Sequence, residues 1–396
     1  MTQSTAEQMR RWQGPAILSF GFRPFFLLGA IWAVVAMVLW IMALSGHVDL
    51  PTVLDPVSWH AHAFLFGYTG AIIAGFLLTA VPNWTGRLPV VGWSLTGLVG
   101  LWGAGRVGVL FSEALPYWVV LVGDLAFPIV LALMILREIV AGKNWRNLII
   151  LLLLAVFTLA NLVFHLEVQN GDYAAQGYGA RLGLAAVMLM IAVIGGRIVP
   201  SFTRNWLVRE GHDQLPASPM QALDKLALLS SLPAFLLWVL LPEASTTALV
   251  LFIVGGGHLV RLARWKGIFT FAEPLVAILH VAYGFVPMGA LAMGVAILRP
   301  DILPASAAQH LWMAGALGGM TLAVMTRASL GHTGRPLHAG VGTTIIYLAI
   351  ISSTVIRFVA GLWPEEVLYH IAGGLWLVAF MTFSVVYGPL LLRPRL

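Results

Sequence analysis

The sequence predicts an all-α, polytopic membrane protein of about twelve transmembrane helices, on three observations. Of its 396 residues, 60% are hydrophobic and only 10% charged, with a mean hydropathy of +0.91, well beyond a soluble domain. Apolar runs near the ~20 residues needed to cross a bilayer recur along the whole length. The basic residues also fall on one side once those runs are drawn as helices. The connections are short, the longest lying around Arg204–Gln221. The chain therefore reads as a single transmembrane domain, 1–396, with a short cytoplasmic N-terminal segment, 1–20.

The spans are delimited by their flanking charges. The first, about 24–46, follows Arg23 and is long enough to remain as a membrane helix, with no leader-type cleavage site after it. The second, 60–81, ends ahead of Arg87, and the third, 90–111, carries Arg106 within it. The fourth, 116–136, closes on Arg137, and the fifth, 147–165, follows Lys143 and Arg146. The sixth, 180–199, begins at Arg181 and ends among Arg197, Arg204 and Arg209. The seventh, 223–241, starts beside Lys225, and the eighth, 245–262, ends on Arg261, Arg264 and Lys266. The ninth, 274–298, stops at Arg299. The tenth, 305–326, stops at Arg327, with Arg335 beyond it. The eleventh, 340–362, holds Arg357 near its end, and the twelfth, 367–391, ends before Arg393 and Arg395. With the N-terminus in the cytoplasm, Arg10, Arg11 and sixteen further basic residues lie inside, eighteen of 22. Only Arg181, Arg299 and Arg357 lie outside. This split requires an even number of spans with both termini cytoplasmic.

The formal charge of +6 is spread over helix ends, with no Lys/Arg cluster of the kind nucleic acid needs. The absence of cysteine excludes disulfides, iron–sulfur clusters, thiolate copper centres and thioether-linked haem. Any haem is then held non-covalently, as haem b. The inner ends of the second, sixth and tenth spans echo one another. They read Val81-Pro-Asn-Trp-Thr-Gly-Arg87, Val199-Pro-Ser-Phe-Thr-Arg204 and Met325-Thr-Arg-Ala-Ser-Leu-Gly-His-Thr-Gly-Arg335. A four-helix period repeated three times would give a pseudo-threefold arrangement; common end chemistry is the alternative.

The eleven histidines carry the functional signal. An ionisable side chain in a bilayer is costly and marks a site by default, and imidazole is the commonest protein metal ligand. His47, His60, His62, His165, His310 and His370 fall at outer helix ends. His258 and His280 lie in the inner third of the eighth and ninth spans, and His212, His332 and His338 in cytoplasmic loops or helix ends. His60 and His62 point about 200° apart on a helix, so only one of them faces a given pocket unless His60 precedes the helix. His258 and His280 sit at similar depth on neighbouring helices, suited to a second metal or a quinol headgroup, or else to interhelical hydrogen bonds. Arg106 and Asp124 read as an ion pair holding one hairpin. Arg357 either neutralises a haem propionate or snorkels to the interface. Trp59, Trp118, Trp312 and Trp363 read as an interfacial aromatic belt.

Gly21-Phe-Arg-Pro-Phe-Phe26, Trp59-His-Ala-His62, the block Ala74–Gly86 (AGFLLTAVPNWTG), Gly196-Arg-Ile-Val-Pro-Ser-Phe-Thr-Arg-Asn205 and the stretch from His310-Leu-Trp312 to Gly331-His-Thr-Gly-Arg335 resemble the NnrS family. The resemblance implies a bacterial inner-membrane protein containing haem and copper and associated with the nitric oxide response. One departure stands out: the family usually has an acidic residue after the second histidine of its WHxH motif, and this chain has Ala63. Such a carboxylate could deliver protons, so the departure predicts slow turnover that Ala63→Glu raises.

The leading expectation is a redox site that binds nitric oxide and reduces it to nitrous oxide, with a quinol or another donor supplying electrons. The first ligand candidates are His62 and His310, then His60 and His370, with Arg357 on the haem and His258 and His280 as further metal candidates. Helices two and ten also supply ligands in haem–copper oxidases and nitric oxide reductases, an analogy only. A membrane transporter and a non-catalytic haem, copper or nitric oxide store are the alternatives. For the topology, a reporter fused after Leu396 is expected to be active only in the cytoplasm; periplasmic activity would overturn the twelve-span arrangement.

Overall fold

A computed structural model describes residues 12–87 and 89–394. Arg10, Arg11 and Arg395 of the charge count lie outside them. The described residues form twelve helices and no strand. They are α1 Phe22–Leu44, α2 Pro56–Thr85, α3 Trp93–Leu110, α4 Tyr117–Ala141, α5 Leu148–Gln169, α6 Tyr178–Arg209, α7 Ala222–Leu240, α8 Ser245–Ala263, α9 Pro274–Leu298, α10 spanning 305–333, α11 Val341–Leu362 and α12 Glu366–Leu392. Each corresponds to one expected span, and ten are long and apolar enough to cross a membrane. The other two, α3 and α10, are interrupted by glycines and each carries an arginine, Arg106 or Arg327, which lowers their hydropathy. This is a multi-pass membrane protein.

Local chemistry sets several helix starts. Asp55 caps α2 by accepting from Val57 N (3.0 Å) and Ser58 N (2.9 Å), with Pro56 in the first position, where its missing N–H costs nothing. Glu273 caps α9 in the same way, accepting from Leu275 N ahead of Pro274. Gln221 and Asp224 form a reciprocal capping box at α7.

Two helices depart from α geometry, in both cases directly after a histidine. Ala63–Tyr68 of α2 and Leu311–Gly318 of α10 are π-helical. A π segment leaves carbonyls without their usual intrahelical donors, and such segments concentrate at functional sites. In α2 those carbonyls are taken by side chains: Trp32 Nε1 donates to Ala63 O (2.9 Å), Trp102 Nε1 to Gly67 O (2.9 Å) and Thr69 Oγ1 to Phe64 O (2.9 Å).

The helices divide into two compact units. The first holds the described residues up to Gly183, Ala328–Pro336 and the chain from Phe383 onward. Its core includes Phe22, Phe25 and Phe26, all fully buried. Here α1 and α2 approach closely: a Cβ on Gly75 would stand 2.7 Å from the Phe26 ring, and one on Gly21 2.4 Å from Leu78. Arg23, 2% exposed, turns its charge onto the end of α12, donating to the carbonyls of Leu391 (2.9 Å) and Arg393 (2.5 Å). A cation over the last carbonyls of a helix satisfies its unpaired acceptors and its dipole.

The second unit comprises Leu184–Arg327 and Leu337–Thr382. The tryptophans of both units correct the aromatic-belt expectation in part. Trp118 in the first unit and Trp363 here are exposed, as belt residues should be, but Trp59 is 1% and Trp312 0% exposed. Trp312 donates Nε1–H to Val286 O at 2.9 Å and packs where Gly289 leaves space. An indole whose N–H finds a buried carbonyl has no need of the interface.

Arg23→Ala is expected to lower stability by about 2 kcal/mol, the order of a charged hydrogen bond. It should also raise amide exchange at the end of α12. Unfolding in detergent and hydrogen exchange check this; unchanged protection there would show the clamp to be idle.

Candidate metal centre

A buried polar cluster lies in the first unit, built by α2, α3, α4 and α5. Asp124 of α4 is its hub, 1% exposed. Its Oδ2 lies 3.0 Å from His62 Nε2 and 3.1 Å from His165 Nε2, and accepts from Asn161 Nδ2 at 2.7 Å. Its Oδ1 is paired with Arg106 Nη2. His62 and His165 are fully buried, with ring centroids 5.1 Å apart. The donor atoms of His62, Asp124 and His165 all lie within 4.8 Å of one another. Tyr117 Oη lies 2.9 Å from His165 Nδ1. Phe66 and Phe164 wall the His62 ring at 5.3 and 5.4 Å.

Each donor has a sequence reason for its position. Asn161 and His165 are one helical turn apart and so share a face of α5. His62 closes the α-helical part of α2 just before the π segment. Arg106 reaches Asp124 past Gly67, where a Cβ would stand 2.5 Å from Arg106 Nη1.

Two imidazoles and a carboxylate converging on one point suit copper, zinc or iron, and the chain has no thiolate to favour another site. The second observation is the His62 Nδ1 atom, buried with no hydrogen-bond partner among the described residues, so that this ring's polar contacts, to Asp124 and Asn161, are all made by Nε2. In this arrangement the carboxylate can only accept, so both Nε2 atoms carry hydrogen and Tyr117 donates to His165 Nδ1. A hydroxyl can equally accept, so Tyr117 would support His165 when its Nε2 lone pair is used by a metal, as outer hydrogen bonds do for metal-bound histidines.

The other expected residues lie elsewhere. His60 faces away from the cluster, stacked on Trp40 at 4.4 Å and tilted against Phe64, as the 200° separation from His62 requires. The Arg106–Asp124 ion pair is present, but it is more than a hairpin clasp, since it presents the carboxylate to two histidines. Glu167, a buried acid two residues beyond His165, takes no part in the cluster: it accepts from Tyr178 N and from Gly179 N (3.1 Å) and so caps the start of α6. The sequence marks His165 only as one of six outer histidines; the signal that singles it out is Asn161 one turn earlier, in the apolar stretch of α5.

In the second unit His258 and His280 do not meet in a shared site. His280 Nε2 contacts Thr203 Oγ1 at 2.7 Å. His258 belongs to a chain of hydrogen bonds with a determined direction. Arg261, which can only donate, gives Nη1–H to Tyr283 Oη (2.8 Å) and Nε–H to Asp224 (2.8 Å). Tyr283 then donates to His258 Nδ1 (2.8 Å), His258 Nε2–H to Ser231 Oγ (2.9 Å), and Ser231 to Ala227 O (2.6 Å). Both nitrogens of His258 are therefore occupied, the interhelical alternative. His310 Nδ1 and His370 Nδ1 face the carbonyls of Ser306 (2.7 Å) and Glu366 (2.9 Å). A carbonyl cannot donate, so Nδ1 carries the hydrogen and Nε2 the lone pair, the tautomer that binds haem iron through Nε2. Arg357 lies over the Tyr369 ring at 4.9 Å, and its Nη1 has no partner among the described residues.

A family profile described as NnrS protein matches residues 16–395, nearly the whole chain. The chain belongs to the NnrS family. Membership links it to haem- and copper-containing membrane proteins of the nitric oxide response, and the His62–Asp124–His165 donor set is a group able to hold a metal ion. No match was found among curated proteins. As a check on this NnrS protein, His62→Ala and His165→Ala are expected to lose bound metal after purification, measured by elemental analysis, while His60→Ala and His258→Ala keep it. Equal metal content in all four would remove the cluster as the binding site.

Proposed function

We propose that this NnrS protein is a nitric oxide-binding redox protein of the bacterial inner membrane, with both termini cytoplasmic, that reduces nitric oxide. The observation that carries the reading is the buried convergence of His62, Asp124 and His165. The reaction consumes two molecules of nitric oxide, two electrons from a quinol-class donor and two protons, and yields nitrous oxide and water. Bound copper and haem b would supply the electron transfer and the affinity for nitric oxide.

The chain's own residues have separable tasks. His62 and His165 present Nε2, and Asn161 and Tyr117 orient the donors through hydrogen bonds. Arg106 balances the charge of Asp124, which could not otherwise remain ionised away from water. Phe66 and Phe164 close the site to bulk water and suit a small apolar gas. His310 and His370 are the residues for haem, supported by their Nδ1–H tautomer, and Arg357, with an unmatched buried nitrogen, is the residue for a propionate.

The test is nitric oxide consumption by purified, metal-analysed protein under anaerobic conditions with a reductant, with nitrous oxide measured in the headspace. Continued consumption with nitrous oxide formed is expected, and His62→Ala should reduce it by about tenfold or more. Uptake that stops at one equivalent per site with no nitrous oxide would instead identify a store.

A further inference from the structure

The two oxygens of Asp124 are not equivalent. Oδ1 is held by Arg106 and lies against α3, where a Cβ on Gly105 would stand 2.7 Å from Oδ1 and 3.1 Å from Asp124 Cα. Arg106 is itself fixed, since Gly67 leaves the space its Nη1 fills and Trp32 Nε1 stands beside that position. Oδ2 alone faces His62, His165 and Asn161. We infer that the centre takes three protein ligands and keeps one coordination position for a small exogenous ligand, because Arg106 and Gly105 restrict Asp124 to a single donor oxygen. This rests on the metal reading of the cluster.

The count of ligands decides the matter. His62 offers Nε2, His165 offers Nε2 and Asp124 offers Oδ2, while the second carboxylate oxygen is consumed by the guanidinium. Structural zinc sites close their shell with four protein ligands, whereas catalytic zinc sites keep three and leave a position open, and the donor count here is the three of the second kind. A bidentate aspartate would fill that position. Arg106 is thus a positioning residue, acting through Asp124. The Asn161 carboxamide lies along the remaining side, with Oδ1 3.1 Å from His62 Nε2 and Nδ2 2.7 Å from Asp124 Oδ2. The Phe66 and Phe164 rings pack against the His62 ring at 5.3 and 5.4 Å, so the surroundings of that position are apolar.

Azide titration of the copper(II)-loaded full-length protein tests this, read by electron paramagnetic resonance and by the azide-to-copper absorption band. The parent is expected to bind one azide per copper. Arg106→Gln, which frees Oδ1, should keep its copper but lose azide affinity by about tenfold or more, and Arg106→Lys, which keeps a cation on Oδ1, should retain it. A parent that holds copper at His62 but shows no azide response overturns the open position, whether or not the variants fold. Equal azide affinity in parent and Arg106→Gln overturns the role of Arg106. A parent that retains no copper in a His62-dependent way overturns the metal reading itself, and the inference with it.

Discussion

A carboxylate with no access to water must be neutralised by the groups around it, and Asp124 imposes that demand on three neighbouring helices at once. α3 answers with Arg106, α2 with His62, and α5 with Asn161 and His165. Removing one member of a buried ion pair costs about 3–5 kcal/mol, because the other charge is left uncompensated. The packing follows from the same constraint. Gly67 and Gly105 lie where the guanidinium and the carboxylate pass, and a side chain at either would displace the pair. Functional geometry and helix packing in this unit are one set of contacts.

The π segment of α2 shows how that geometry is reached. A straight α-helix would keep every carbonyl for its own ladder; the wider turn releases them, and two tryptophans and a threonine take them up. Its neighbour His62 is then set in a fixed direction by backbone that is itself held from both sides. α10 repeats the device after His310. This local likeness of helices two and ten is of the same kind as the sequence echo between their inner ends.

The twelve helices were legible because bilayer thickness and basic helix ends write themselves into composition. His62 was legible as a buried ionisable group, and helix periodicity separated it from His60. The rest depended on tertiary neighbours. His165 and Asn161 become informative only when α5 is turned toward α4, and nothing in the spacing of α4 distinguishes a structural Asp124 from one that also holds two histidines. Trp59 and Trp312 depart from the expected belt for a related reason: depth along a helix is encoded in sequence position, but the face a side chain takes at that depth is set by what packs there. The π segments have no compositional mark, since the donors that stabilise them lie on other helices or follow from their own geometry.

The Arg261–Tyr283–His258–Ser231 chain has a consequence for the membrane's energetics. A row of hydroxyls and an imidazole inside a bilayer protein looks like a wire for hydrogen ions, which would short-circuit the gradient the cell maintains. Conduction along such a row requires each group to accept at one end what it releases at the other, and then to turn. Here the first donor is a guanidinium, which does not give up its proton, and the last acceptor is a peptide carbonyl, which cannot take one. All the dipoles between them point one way and are held there. The row is polar enough to tie α7, α8 and α9 together, yet it is an insulator.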